Sequence, residues 1–424
     1  MTRIWIASIV LVLPAFAQTP RKLTLQEAET LALQQHPQIA GARLATQAAG
    51  QVIGETRSPL YPQLSASATA VGAVDNSRIA AGFLNAPNVL NRVAVGASLQ
   101  QLITDFGRTS HLVESSKLRE QSQEAGEVAT RAAVLLDVDR AYFRALRAQG
   151  LVKTAEETVT SRQLVVDQVT ALAQSALKSQ LDVSFASVNL SDAKLLLSTA
   201  QNEVQEAFTD LSNALGLTGP QDFDLEEATV ASTPEADASG LIQQALQQRP
   251  DLAGLRLDRD AALQFAQAER GLARPVVNGA AAAGGIPAHD ENLHGRYAAA
   301  GINVTVPVFN GSLFAARRTE AELRAQAASE RVRDAQNRVA RDVNVAWLNA
   351  NNAFQRIGLT EQLLAQANLA LDLAQSRYDL GLSSIVELGQ AQLNKTSAEI
   401  QNLTSRYDFQ IQSAVLKFQV GTLR

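Results

Sequence analysis

The chain contains no cysteine. Disulfides, thiolate metal sites, iron–sulfur clusters, a cysteine nucleophile and a lipidated N-terminal cysteine are all excluded. Aromatic residues make up only 5%, and charged residues only 19%, against about 25% in an ordinary soluble protein. The 37 Lys and Arg do not outnumber the 42 Asp and Glu, so the net charge is −5. No basic excess exists to neutralise phosphates, and nucleic acid is not an expected partner. Proline is absent from residues 111–215 and 313–420. After residue 17, no stretch approaches the roughly 18 apolar residues of a membrane-spanning helix. G-x-S-x-G, GxGxxG, a Walker lysine loop and HExxH are all missing, so no enzyme activity and no cofactor is expected. Histidines number four, and the one cluster is His289-Asp290-Glu291-Asn292-Leu293-His294. It lies in a predicted loop and reads as a solvated segment, not a metal site.

What is present is first an address. Met1–Ala17 carries one positive charge, Arg3, then an apolar run from Ile4 to Leu13, then Ala15-Phe16-Ala17 before Gln18. This is the pattern of a secretory signal peptide. An exported chain beginning at Gln18 follows. A β-barrel contribution stays open, because its strands escape hydropathy.

The remainder is written twice. Ala32-Leu33-Gln34-Gln35-His36-Pro37 aligns with Ala245-Leu246-Gln247-Gln248-Arg249-Pro250. Farther on, Asp137-Val138 aligns with Asp342-Val343, Leu181-Asp182-Val183 with Val386-Glu387-Leu388, and Gly216 with Gly421. The expected organisation is a signal peptide at 1–17 and two structural repeats at 18–220 and 221–424. Each repeat opens with helices. Thr24-x-x-Glu27 is a capping box, and Pro37 both ends one helix and begins the next. Two strands follow in each. Leu64, Ala66, Ala68 and Ala70 alternate with Ser65, Ser67 and Thr69, and Val93, Val95, Ala97 and Leu99 alternate with Gly96 and Ser98. The second pair is predicted at Val276–Ala283 and Arg296–Val306, with polar loops at Asp75–Asn91 and Gly284–Gly295. Taken alone, these strands suit either a membrane barrel or a soluble sheet. The proline-free stretches then predict about a hundred helical residues per repeat, folded into antiparallel coiled-coil arms. Paired carboxylates such as Glu156-Glu157 and Glu226-Glu227 read as solvated helix faces.

This order resembles the TolC family of outer-membrane efflux channels over essentially the whole chain after the leader. The residues that carry the resemblance are Leu23-Thr24-Leu25-Gln26-Glu27-Ala28, His36-Pro37, and the strand-to-helix segment Leu102-Ile103-Thr104-Asp105-Phe106-Gly107-Arg108. Val306-Pro307-Val308-Phe309-Asn310-Gly311 is the second copy of that segment, and Arg377–Leu388 resembles the family's tip motif. The resemblance implies a mainly α fold with a small β part. Long α-helical coiled-coil hairpins form an α-barrel tunnel, and four strands per chain enter a trimeric 12-stranded β-barrel. It implies a homotrimer in the outer membrane, in contact with outer-membrane lipid, with its helices in the periplasm. It implies an exit duct for a tripartite efflux or type I secretion system, working with a periplasmic adaptor and an inner-membrane pump. Two other classes fit the composition: a soluble periplasmic coiled-coil adaptor or scaffold, and an exported enzyme. The first lacks the membrane-facing alternation, and the second lacks its catalytic motifs.

At the predicted tips, Asp182 and Glu387 occupy the same place in the two copies. In a trimer they make six carboxylates, and rings of acids bind or select cations. By resemblance, Tyr378 is the closing tyrosine and Asp182 its partner. Ser383 stands where some relatives carry an arginine, and Gln390 where some carry a second acid, which implies a weaker closing network. The expected gate residues are therefore Asp182, Tyr378, Ser383, Glu387 and Gln390.

Overall fold

The computed structural model describes residues 21–423, apart from 73, 75–77, 82–83, 89, 220, 222, 228–232, 234–236, 290 and 292–293. The expected leader lies outside the described residues. Strand β1 (Arg21–Leu23) leads into α1 (Leu25–Gln35). Thr24 caps α1 as its sequence signature requires: its hydroxyl accepts from Glu27 N at 3.2 Å, and the Glu27 carboxylate accepts from Thr24 N at 3.0 Å. Helix α2 (Pro37–Arg57) begins on the proline, whose missing N–H costs nothing there. Then come β2 (Gln63–Val71), β3 (Arg78–Ala81), β4 (Leu84–Asn88), β5 (Arg92–Thr104), α3 (Arg108–Gln174) and α4 (Gln180–Ala214). The second half runs β6 (Phe223–Leu225), α5 (Ala238–Gln248), α6 (Pro250–Arg270), β7 (Val276–His289), β8 (Arg296–Thr305), α7 (Leu313–Asp379) and α8 (Ile385–Val420).

The helices of the first half have 11, 21, 67 and 35 residues, and those of the second have 11, 21, 67 and 36. Left-handed backbone recurs at the same interval of 205 residues: Phe106 and Gly311, Gly107 and Ser312, Ala176 and Gly381, Gly216 and Gly421. Each pair marks a place where the chain must turn sharply into or out of a long helix. Gly219 alone has no counterpart among the described residues.

Contacts divide the chain into two units, each drawing on both halves of the sequence. One unit takes Ala132–Ala238, Asn344–Arg424 and the described residues up to Pro37. Here β1 and β6 pair in parallel, Leu23 opposite Leu225. The fully buried Tyr142 of α3 fixes this pair, with its hydroxyl 2.9 Å from Leu23 O and 2.7 Å from Glu226 O. Neither short strand shows periodicity, and sequence reading missed both. Glu226 and Glu227, read as helical, instead leave β6, although both are exposed as expected.

Asp139 of α3 is buried in the same unit, and its Oδ1 has no hydrogen-bond partner among the described residues. Burial, with the Glu29 carboxylate beside it and Lys417 opposing, pushes its carboxyl up to about 8. A folded-state value raised above the unfolded one gives stability that is present below the unfolded value and lost as pH rises through the folded one. Wild-type protein is therefore expected to lose thermal stability relative to Asp139→Asn as pH rises from about 4 to about 8. Parallel melting curves for the two proteins would contradict this.

The other unit takes Gln38–Arg131 and Ser239–Val343. Its helices pack closely on small residues. Ser115 Oγ donates to Ala261 O at 2.8 Å, and Ser122 Oγ to Gly254 O at 3.0 Å. Its sheet has the order β2-β5-β7-β8, antiparallel throughout, so β2 and β8 are free edges within the described chain. Leu64 lies opposite Leu99, Leu99 opposite Ala281, and Ala281 opposite Ala300. Because side chains alternate, this row shares a face with Val95, Ile302 and Val304. The other face carries Ser65, Ser67, Thr69, Ser98, Asn278 and Asn303, with Ser65 and Ser98 hydroxyls 2.8 Å apart.

The expected loops are shorter than the composition suggested. Gly284–His289 belongs to β7, and β3 and β4 form a hairpin inside 75–91. Glycine at 284 signals a crowded strand, not a loop. The Tyr297 side chain lies over Gly96 and Gly284, and an ideal Cβ on either would come within 2.6 Å of its hydroxyl. Asp290, Asn292 and Leu293 of the histidine cluster lie outside the described residues. No described helix is long and apolar enough to cross a membrane, and no described group of three or more His, Asp or Glu is placed to hold a metal.

Candidate functional site at the hairpin turns

Two short turns reverse the long helices: Ser175–Ser179 between α3 and α4, and Leu380–Ser384 between α7 and α8. Each contains a left-handed residue, Ala176 at φ 56° and Gly381 at φ 74°. Each ends in a serine that caps the next helix. Ser179 Oγ accepts from Asp182 N at 3.2 Å, and Asp182 Oδ2 accepts from Ser179 N at 3.0 Å and from Ser179 Oγ at 2.9 Å. Ser384 Oγ accepts from Glu387 N at 3.3 Å. The two matched acids are thus the third residues of their helices, where a carboxylate also meets the positive end of the helix dipole. Glu387 is further paired with Arg377 at 3.4 Å, both side chains partly exposed.

Tyr378 occupies the last turn of α7. Its ring is buried with Val165 and Val169 of α3, Ala186 of α4, and Ile385 and Leu388 of α8. Four helices therefore meet around one aromatic ring. The hydroxyl has no hydrogen-bond partner among the described residues. Burial, then the negative charges of Asp182 and Asp379, push its ionisation above the ordinary tyrosine value. The structure brings Asp182 near Tyr378 but engages its carboxylate with Ser179, not with the phenol. Above the ring stands the Lys178 ammonium, 4.1 Å from the centroid.

Ser383 Oγ is buried and unpartnered among the described residues. Gln390 Nε2 donates to Asn394 Oδ1 at 2.9 Å along its own helix, away from the other four candidates. Close by, α4 and α8 cross without room to spare: a Cβ on Gly389 would lie 2.7 Å from Asn189 Nδ2. Sequence reading missed Lys178 and Ser179, and it quoted Arg377 and Ser384 within the tip motif without giving either a role. The serines had a signal, since Ser179-x-x-Asp182 and Ser384-x-x-Glu387 have the same form as the capping box recognised at Thr24. The lysine had none, because its partner is 200 residues away.

The described chain thus holds two long helical hairpins and, in its other unit, an antiparallel four-stranded sheet with one apolar face. The family model described as "Outer membrane efflux protein" matches residues 30–217 and 241–422. The chain belongs to that family and is an outer-membrane exit channel of efflux systems. It is similar to the outer membrane protein TolC of Escherichia coli (strain K12), 24% identical, covering 98% of this chain and 85% of that one. It is also similar to the probable efflux pump outer membrane protein TtgC of Pseudomonas putida, 27% identical over 69% of this chain and 61% of the relative. Among solved structures, VceC of Vibrio cholerae matches with a TM-score of 0.79 at 20% identity, covering 94% of this chain and 96% of the other. The open state of the MtrE channel of Neisseria gonorrhoeae matches with a TM-score of 0.78, also at 20% identity, covering 94% and 89%. These structures agree on the fold, mainly α with a small β part.

Proposed function

We propose that three copies of this chain close one channel, with β8 of each copy pairing with β2 of the next. The four-stranded sheet with two free edges and one apolar face carries this reading. Open edges in lipid leave backbone groups unpaired, and a membrane barrel needs at least about eight strands. An even number of alternating strands leaves β2 and β8 running in opposite directions, so the joint is antiparallel like the rest. Twelve strands then place Leu64, Val95, Leu99, Ile302 and Val304 against lipid. The halves 18–220 and 221–424 act as two copies of one unit, supported by the matched helix lengths and the paired left-handed residues. The helices extend into the periplasm, where an adaptor links the channel to an inner-membrane pump. The hairpin turns form the gate, with Asp182, Tyr378, Ser383, Glu387 and Gln390 lining or bracing the mouth.

The absence of cysteine makes the assembly directly testable. Ser67→Cys in β2, combined in turn with Ala298→Cys, Ala299→Cys, Ala300→Cys or Gly301→Cys in β8, is expected to cross-link copies into a trimer-sized band in outer-membrane fractions. A monomer in the soluble periplasmic fraction, with no cross-link at any register, would sink the reading.

A further inference from the structure

Resting on the gate reading above, we infer that Lys178 sets how tightly the hairpin turns hold together, acting through the face of the Tyr378 ring and not through its hydroxyl. The lysine comes from the α3–α4 turn and the tyrosine from the end of α7, so the contact joins one hairpin to the other. The separation of 4.1 Å is well inside the roughly 6 Å over which an ammonium is drawn to an aromatic face. The ring is 6% exposed and held by five apolar neighbours from three other helices, so it presents one face in a fixed direction. Lys178 is itself half-buried, and its ammonium end lies over the ring.

The alternative latch, a hydrogen bond from the phenol, is not made. Tyr378 Oη has no partner among the described residues, and Asp182 Oδ2 is already shared by two donors from Ser179. Ser383 brings no cation to the second turn, and its own Oγ is buried without a described partner. The first turn supplies the cation instead. Arg377 is engaged by Glu387 and by Leu382 O, whereas the Lys178 ammonium faces the ring. A contact of this size breaks readily, which suits a closure that a docking partner must undo.

Two readouts on the full-length trimer separate the contact from the gate. The first is acetylation of Lys178 by an amine-reactive ester, followed by mass spectrometry. Labelling is expected to be equally slow in wild type and Tyr378→Phe, and about two- to fivefold faster in Tyr378→Leu, which keeps an apolar side chain but removes the aromatic face. The second is single-channel conductance in planar bilayers. Lys178→Met and Tyr378→Leu are expected to raise the open fraction about two- to fivefold, while Tyr378→Phe and Lys178→Arg leave it unchanged. If Tyr378→Phe and Asp182→Ala open the channel while Lys178→Met does not, the hydroxyl is the latch and the proposal falls with the gate reading intact. If none of these variants, Asp182→Ala included, alters conductance while the labelling contrast persists, the gate reading itself falls. Lys178→Met changes only a half-buried turn residue, so its trimer yield serves as the folding control.

Discussion

Leu99→Arg is expected to remove most of the assembled channel, whereas Ser98→Arg one residue earlier is expected to leave assembly nearly intact. Leu99 stands opposite Leu64 on one side and Ala281 on the other, on the face that also holds Val95, Ile302 and Val304. In the proposed barrel that face meets hydrocarbon. A guanidinium near the bilayer midplane costs about 2–4 kcal/mol, and each trimer would bear the cost three times. Ser98 points the other way, where its hydroxyl meets that of Ser65 at 2.8 Å. An arginine there enters water in the lumen and changes conductance more than stability. The measurement is the heat-resistant trimer band in outer-membrane fractions, with conductance for the surviving variant. Equal losses in the two variants would mean that the faces are assigned the wrong way round.

Those faces were legible in the sequence itself, because alternation has a period of two and a slip of one residue exchanges lipid for lumen. The helices were legible too. Proline at 37 and 250, the Thr24 capping box and the long proline-free stretches delimit them. Short elements were not. β1 and β6 are three residues each and some two hundred residues apart, so no local pattern announces their pairing. The extension of β7 through Gly284, Gly285 and Pro287 was hidden because these residues usually signal turns. At the hairpin turns the residue identities were visible through resemblance and the contacts were not. Asp182 and Glu387 show a local role, helix capping, that their spacing from Ser179 and Ser384 already encoded. The Lys178–Tyr378 contact depends on how the four helices pack, which no single stretch of sequence specifies.

Gly284→Ala is the other substitution expected to be severe, although it adds one methyl group. Gly284 lies on the sheet face opposite to Leu99, between Gly96 on β5 and Tyr297 on β8. A Cβ built there would lie 2.3 Å from Val95 O and 2.6 Å from the Tyr297 Cζ and Oη. The first of these is backbone in a paired strand and cannot swing aside, so the β5–β7 ladder must open or shift. Forcing volume into such a site costs about 1–3 kcal/mol per chain, and in the proposed barrel it would strike all three copies together. Gly301→Ala is the matched control. It is on the same face, opposite Ala280, and a methyl group there would meet nothing of its own chain within 4 Å. It is expected to assemble like wild type, since open-site substitutions usually fall within about 0.5 kcal/mol. Tyr297→Ala separates the two sources of crowding. It relieves the ring but not the Val95 carbonyl, so Gly284→Ala combined with Tyr297→Ala should recover only part of the trimer. Full recovery would place the whole conflict in the tyrosine, and no loss in Gly284→Ala alone would show that the β5–β7 ladder has slack the register does not reveal.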